Sequence, residues 1–211
     1  MIIREKYLNM IRPFIESDLV KIITGIRRCG KSIILNQLKD EIALKSDNII
    51  YLDFENASTK KIIKNEFDLI NYVHSNRKED KCYLFVDEIQ NLDNWPIAIK
   101  SLRLENCSIF ITGSNSKLLA IEFAQYLSGR YVSFRIRPFV YRECLEYAKE
   151  LNKEYSISDY LIWGGFPKSI EFDKNDKINY LNDLEETIIY NDIISKYKIK
   201  KDKERKKCIK M

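Results

Sequence analysis

The segment that most restricts how this chain can fold is Gly25-Ile26-Arg27-Arg28-Cys29-Gly30-Lys31-Ser32, which matches G-x-x-x-x-G-K-S at every fixed position. An apolar run, Leu19-Val20-Lys21-Ile22-Ile23-Thr24, leads into it. A helical pattern leads out, with apolar residues at Ile33, Ile34, Leu35, Leu38, Ile42 and Leu44. Glycines at both ends let the backbone turn tightly, so that successive N–H groups point inward at an anion. The helix that follows adds the positive end of its dipole. Strand, glycine turn and helix in that order point to a parallel α/β sheet with crossover helices.

The first 136 residues keep to that plan. Beyond the run at 19–24, strands are predicted at Asn48–Asp53, Cys82–Val86, Cys107–Thr112 and Tyr131–Ile136. The middle runs are continuously apolar, as strands covered on both faces must be. The fifth alternates more, which suits an edge. Helices are predicted at 31–45, 62–73 and 96–104, and after Pro138 the pattern is helical with a break at Gly164-Gly165-Phe166-Pro167. The reading divides the chain into a core at 1–137, a helical region at 138–197 and a basic, disordered tail at 198–211.

With 211 residues, 45% hydrophobic and 32% charged, the chain holds one good-sized domain and a small annex. No run approaches the ~20 apolar residues of a membrane helix. The N-terminus turns charged too soon for a signal peptide, so a cytoplasmic protein is expected. The net charge of +5 is concentrated at one end: residues 196–211 hold nine basic side chains against two acids. The first 195 residues carry 27 basic and 29 acidic side chains, so the core has no electrostatic footprint for nucleic acid. DNA remains a partner only through the tail.

The chemistry concentrates in four places. In the glycine loop, Lys31 is placed to reach the β and γ phosphates of a nucleotide, and the Ser32 hydroxyl to ligate Mg²⁺. Gly25, Cys29, Gly30, Lys31, Ser32 and Ile33 form the expected nucleotide-binding set. In Tyr83-Leu84-Phe85-Val86-Asp87-Glu88, an apolar strand releases two carboxylates at its C-terminal end, where open α/β sheets bind ligands. Asp87 suits a hold on Mg²⁺, and Glu88 suits the activation of water; as a plain alternative, the pair caps a following helix. The fourth strand ends in Thr112-Gly113-Ser114-Asn115-Ser116, where Thr112, Ser114 or Asn115 could stand near a γ phosphate or merely cap a turn. Arg130, just before the fifth strand, is either a cation at a helix C-terminus or an arginine that reaches a neighbouring subunit's phosphates.

Other conspicuous residues read as structural. The five cysteines, Cys29, Cys82, Cys107, Cys144 and Cys208, are scattered without metal-site spacing, and Cys82 and Cys107 lie beside apolar runs as buried thiols would. His74 is the only histidine, too little for a His-based triad or metal centre. Trp95 and Trp163 lack the basic and aromatic surroundings of a base-stacking platform.

Taken together, these stretches resemble the AAA+-type ATPases of bacteria and archaea that usually carry a C-terminal nuclease-like domain. The similarity rests on Ile23–Ser32, on Phe85-Val86-Asp87-Glu88-Ile89-Gln90-Asn91 with Trp95 after it, and on Ile111–Leu119. It continues through Leu127–Tyr131, Arg137-Pro138-Phe139, Gly164–Pro167 and Thr187–Ile193, from about Met1 to Tyr197. The resemblance implies a five-stranded P-loop sheet sandwiched by helices and followed by a small helical lid, with ATP and Mg²⁺ as ligands. It implies a sensor at the end of the fourth strand, carried by Asn115 or Ser114, and an arginine finger at Arg130 within a homo-oligomer. Members of that group run on past the lid, so a chain truncated there is expected, and a DNA-directed role does not carry over.

The resulting expectation is an ATPase with Lys31, Glu88, Arg130 and Asn115 in catalytic roles and Ser32 and Asp87 at the metal. Its rivals are a nucleotide-binding switch or inactive remnant of a longer ATPase, a DNA-binding adaptor acting through the tail, and a small-molecule kinase sharing the loop.

Overall fold

Apolar runs that must be covered on both faces become the inner strands of one parallel sheet. The computed structural model describes residues 2–78, 81–113 and 127–190. Its elements are α1 (Glu5–Ile11), β1 (Val20–Thr24), α2 (Lys31–Ala43), β2 (Ile49–Asp53), α3 (Ala57–Ile62), α4 (Glu66–Asn76), β3 (Cys82–Asp87), α5 (Trp95–Arg103), β4 (Cys107–Gly113) and β5 (Tyr131–Arg135). Four helices follow: α6 (Tyr141–Glu150), α7 (Ile157–Trp163), α8 (Pro167–Glu171) and α9 (Lys174–Ile188).

The strand order is β2-β3-β4-β1-β5, with every pairing parallel. Every residue of β1 and β4 is buried, whereas β5 is largely open and sits at an edge, as its alternation predicts. The other edge is β2. Its run Ile49-Ile50-Tyr51-Leu52-Asp53 looks continuous in sequence, yet burial alternates along it, leaving Ile49, Tyr51 and Asp53 on the half-exposed face. Register then decides what meets at the C-terminal ends of the strands. Asp53 is opposite Asp87, Val86 opposite Ile111, and Thr24 opposite Gly113.

The helix predicted at 62–73 is α4, Glu66–Asn76, and a short helix that the pattern does not show, α3, precedes it at Ala57–Ile62. Asn65 sets the later start, because its side chain accepts from the N–H groups of Phe67 and Asp68 and caps α4. Asn56 caps α3 in the same way. Between sheet and helices, Ile22, Leu84, Val86, Ile111, Leu69 and Ile99 pack into one core with Trp95, which is a packing residue as expected. The rings of Phe85 and Phe110 stack with centroids 4.6 Å apart on neighbouring strands.

A lysine interrupts this interior. Lys21, in the middle of β1, is fully buried. Its Nζ donates to Ser108 Oγ at 2.9 Å and to the Ser17 carbonyl at 3.2 Å, and stands 4.6 Å from the centre of the Phe110 ring.

The described residues form two compact units. Described residues of 3–25 and 30–137 make the sheet unit, and Ile2, Ile26–Cys29 and residues 138–190 make the other. In the second, Phe139, Cys144, Ala148, Tyr155 and Ile170 form a small core. Gly165 cannot be replaced there, because a Cβ would lie 1.8 Å from the Phe139 carbonyl oxygen. The close approach is held by the Phe139 N–H, which donates to the Gly165 carbonyl at 2.7 Å. Cys29, Cys82, Cys107 and Cys144 are buried and in no disulfide. Among the described residues, no helix is long and apolar enough to cross a membrane. Residues 198–211, expected as a basic tail, lie outside the described residues, as does Cys208.

Candidate functional site

At the end of β1 the backbone takes the shape its glycines permit. Gly25 has φ 154°, and Gly30, the N-cap of α2, has φ 95°, a conformation that a side chain disfavours. Arg28 is left-handed as well, with φ 63°. Gly30 offers no side chain to cap α2, and a helix entrance of this kind suits an anion. Ile33 is half-buried in the first turn of that helix, one residue past Ser32.

Lys31 is 4% exposed, and its Nζ lies 3.3 Å from Glu88 Oε1. Glu88 is buried too, and follows β3 in a left-handed conformation at φ 50°, ψ 50°. For a residue with a Cβ this costs about 1–3 kcal/mol, and such strain persists only where surrounding bonds enforce it. Two are evident. The Glu88 N–H donates to Thr112 Oγ1 at 2.9 Å, and the Glu88 carboxylate accepts from the Gln90 amide.

Asp87 ends β3 with its carboxylate gripped by hydroxyls. Thr112 donates to Oδ1, and the Ser32 hydroxyl also bonds the carboxylate. Tyr51 lies near it on β2, where burial and the charges of Asp87 and Asp53 push the phenol up to about 12. Asn36, one turn after Ser32 in α2, donates to the Ser32 carbonyl at 3.0 Å. Burial pushes the Asp87 carboxyl above its ordinary value, and the nearby charges of Glu88 and Asp53 add to that, while the Ser32 and Thr112 hydroxyls oppose it. A site that raises the pKa of a carboxylate in this way favours an added cation. Ser32 and Asp87 supply hard oxygen donors side by side, which fits Mg²⁺.

The structure therefore brings Lys31, Ser32, Asp87, Glu88 and Thr112 together. It keeps Arg130 apart. That residue is exposed, and its carbonyl accepts the N–H of Val20 at 3.0 Å, at the N-terminal end of β1. Between Val20 and Thr24 the strand spans roughly 13 Å at about 3.3 Å per residue. Ser114 and Asn115 lie outside the described residues. Sequence reasoning passes over Tyr51, Asn36 and Gln90. The signal for Tyr51 is its place two residues before Asp53 on the same face of β2, which becomes informative only once β2 is paired with β3.

A family model described as AAA domain matches residues 17–145. An uncharacterized protein of Haemophilus influenzae is 35% identical over 211 residues, covering 95% of this chain and 52% of its own length. One from Methanocaldococcus jannaschii is 33% identical over 199 residues, covering 89% of this chain and 44% of its own. The chain spans about half the length of the curated relatives it matches. Among solved structures, the fold is similar to AMPPCP-bound DnaA from Aquifex aeolicus, with TM-score 0.53, 16% identity, and coverage of 98% of this chain and 68% of that one. It is also similar to a replication initiator DnaA bound to AMPPCP and single-stranded DNA, with TM-score 0.55, 15% identity, and coverage of 96% and 74%. At those identities the likeness is one of fold.

Proposed function

Since the chain belongs to the AAA domain family, with more than half its length within the matched region, we propose that it binds ATP at the Gly25–Ser32 loop and hydrolyses it with Mg²⁺. The observation that carries this reading is the convergence of Lys31, Ser32, Asp87 and Glu88 at the end of the sheet, with Lys31 Nζ 3.3 Å from Glu88 Oε1. Phosphoryl transfer needs little covalent help, so positioning of charge is most of the work.

Each residue then has one task. The backbone amides of the loop, including those at Gly25, Cys29, Gly30 and Ile33, cradle phosphate oxygens. Lys31 holds the β and γ phosphates, which compete with Glu88 for its ammonium. Ser32 and Asp87 hold the Mg²⁺, which when bound neutralises charge developing on the phosphates. Glu88, released from Lys31, accepts a proton from the attacking water. Its left-handed backbone aims the carboxylate, and Thr112 fixes that backbone by accepting the Glu88 N–H. Asn115 is the sensor candidate. Arg130 would serve a neighbouring subunit's site, since its exposure and its distance from the loop of its own chain suit action in trans. We take the helical region from 138 to 197 as a lid.

The test is Mg²⁺-dependent phosphate release from ATP by the purified chain across a concentration series, beside Glu88→Gln. The expected result is turnover per subunit that rises with concentration and falls by at least about 100-fold in the variant, as loss of a general base implies. Wild-type turnover in Glu88→Gln would remove Glu88 from its role. Nucleotide binding without turnover in the wild type would favour the switch reading.

A further inference from the structure

Both oxygens of the Glu88 carboxylate have a partner. Lys31 Nζ lies 3.3 Å from Oε1, and the Gln90 amide donates to Oε2. Phosphates that compete for the ammonium draw off the first partner and leave the second in place. Gln90 is the middle residue of a single 3₁₀ turn, Ile89–Asn91, which is fixed on both sides. Ile89 is fully buried in the core. The Asn91 N–H donates to the Glu88 carbonyl at 3.1 Å, and the Asn91 side-chain amide donates to the Phe54 carbonyl at 3.3 Å.

Stability does not explain the other end of the Gln90 amide. Its Oε1 is buried, and no donor among the described residues reaches it. Turning the amide round does not help, because an oxygen would then face the Glu88 carboxylate. A buried carbonyl oxygen without a donor destabilises a fold, and one kept in place calls for a reason.

We infer that Gln90 is a positioning residue for the general base: its amide holds Glu88 Oε2, which leaves Oε1 turned to the attacking water once Lys31 engages the phosphates. This rests on the reading that Glu88 activates water. In that step the water oxygen bonds to the γ phosphorus and its proton passes to Glu88 Oε1. ADP leaves with the electron pair of the broken P–O bond. A group misplaced by about 1 Å forfeits as much as about 100-fold in rate.

The experiment uses Gln90→Met, which keeps the length of the side chain and removes both the donor and the orphaned oxygen. Mg²⁺-dependent phosphate release from ATP is measured for the wild type, Gln90→Met, Glu88→Gln and the double variant, with melting temperatures beside them. The expected result for Gln90→Met is a fall in kcat of about 10- to 100-fold, with KM for ATP within about 2-fold of wild type. Its melting temperature does not fall. In the Glu88→Gln background the same substitution causes no further loss, because a residue acting through Glu88 has nothing left to aim. An unchanged kcat in Gln90→Met overturns the inference, as does an equal loss in both backgrounds, which would assign the side chain to the fold. Wild-type turnover in Glu88→Gln overturns the underlying reading of Glu88 instead, so the two failures are distinguishable.

Discussion

Thr112 donates its hydroxyl hydrogen to Asp87 and accepts the Glu88 N–H at 2.9 Å, with no exposure to solvent. One hydroxyl therefore ties both carboxylate residues to the end of β4. Thr112→Val preserves shape but leaves the Glu88 N–H buried without its acceptor, a loss of about 1–3 kcal/mol. For a chain of this size each kcal/mol moves the melting temperature by roughly 2–4 °C. Thermal unfolding should thus show a fall of a few degrees or more in Thr112→Val and most of it restored in Thr112→Ser. Equal melting temperatures in all three proteins would mean that the left-handed Glu88 is held by something else. At this scale the sequence is informative where function is contiguous. Lys31 and Ser32 announce themselves by their glycines, and Asp87 and Glu88 by the apolar strand before them. Thr112 was one of three polar residues closing the fourth strand, with nothing in the sequence to rank it. Tyr51 was invisible, because its neighbourhood exists only once β2 pairs with β3 and sets it opposite Phe85, 34 positions away in the chain.

Elements follow hydrophobic pattern until a local hydrogen bond competes with it. The helix expected from 62 starts at Glu66 because Asn65 caps it, and the place of β2 at an edge is not legible because no residue type marks which apolar run is outermost. Lys21 is the opposite case, a charged residue inside a strand whose pattern overrode it. Burial pushes its pKa down to about 7, with Lys81 adding to the drop while Glu16 and Asp18 oppose it. Its contacts suit the neutral amine, whose two N–H groups match the Ser108 hydroxyl and the Ser17 carbonyl. The sign follows from linkage. The folded pKa lies below that of the unfolded chain, so between them the unfolded chain binds more protons, and stability rises with pH. From pH 7 to 8.5 the lysine's contribution rises by about 1–2 kcal/mol, and the thiols, which ordinarily titrate near 8.5, act alike in wild type and variant and cancel in their difference. Denaturant unfolding of wild type and Lys21→Met should show a difference that grows in the wild type's favour across that window. A difference that is flat with pH would mean the lysine stays charged in the fold.

For the molecule as a whole, the decisive residue is the one the sheet holds away from the rest. Arg130 sits exposed beside Val20, at the end of the strands opposite Thr24 and the loop. If it acts, it acts on a second copy, and a complete site then takes Lys31 and Glu88 from one chain and Arg130 from the next. That division can be tested by mixing two defective proteins. Arg130→Ala keeps Glu88, and Glu88→Gln keeps Arg130. A site formed between an Arg130→Ala chain and a neighbouring Glu88→Gln chain contains both intact groups. Each variant alone should lose most turnover, since an arginine finger contributes about 10³–10⁵ in rate. Their mixture at high concentration should regain a substantial part of wild-type phosphate release, and dilution should abolish it. Wild-type activity in Arg130→Ala alone would return the residue to the plainer role of a surface cation. Inactivity of both variants without any recovery on mixing would show that Arg130 serves its own chain's fold rather than a neighbour's phosphates.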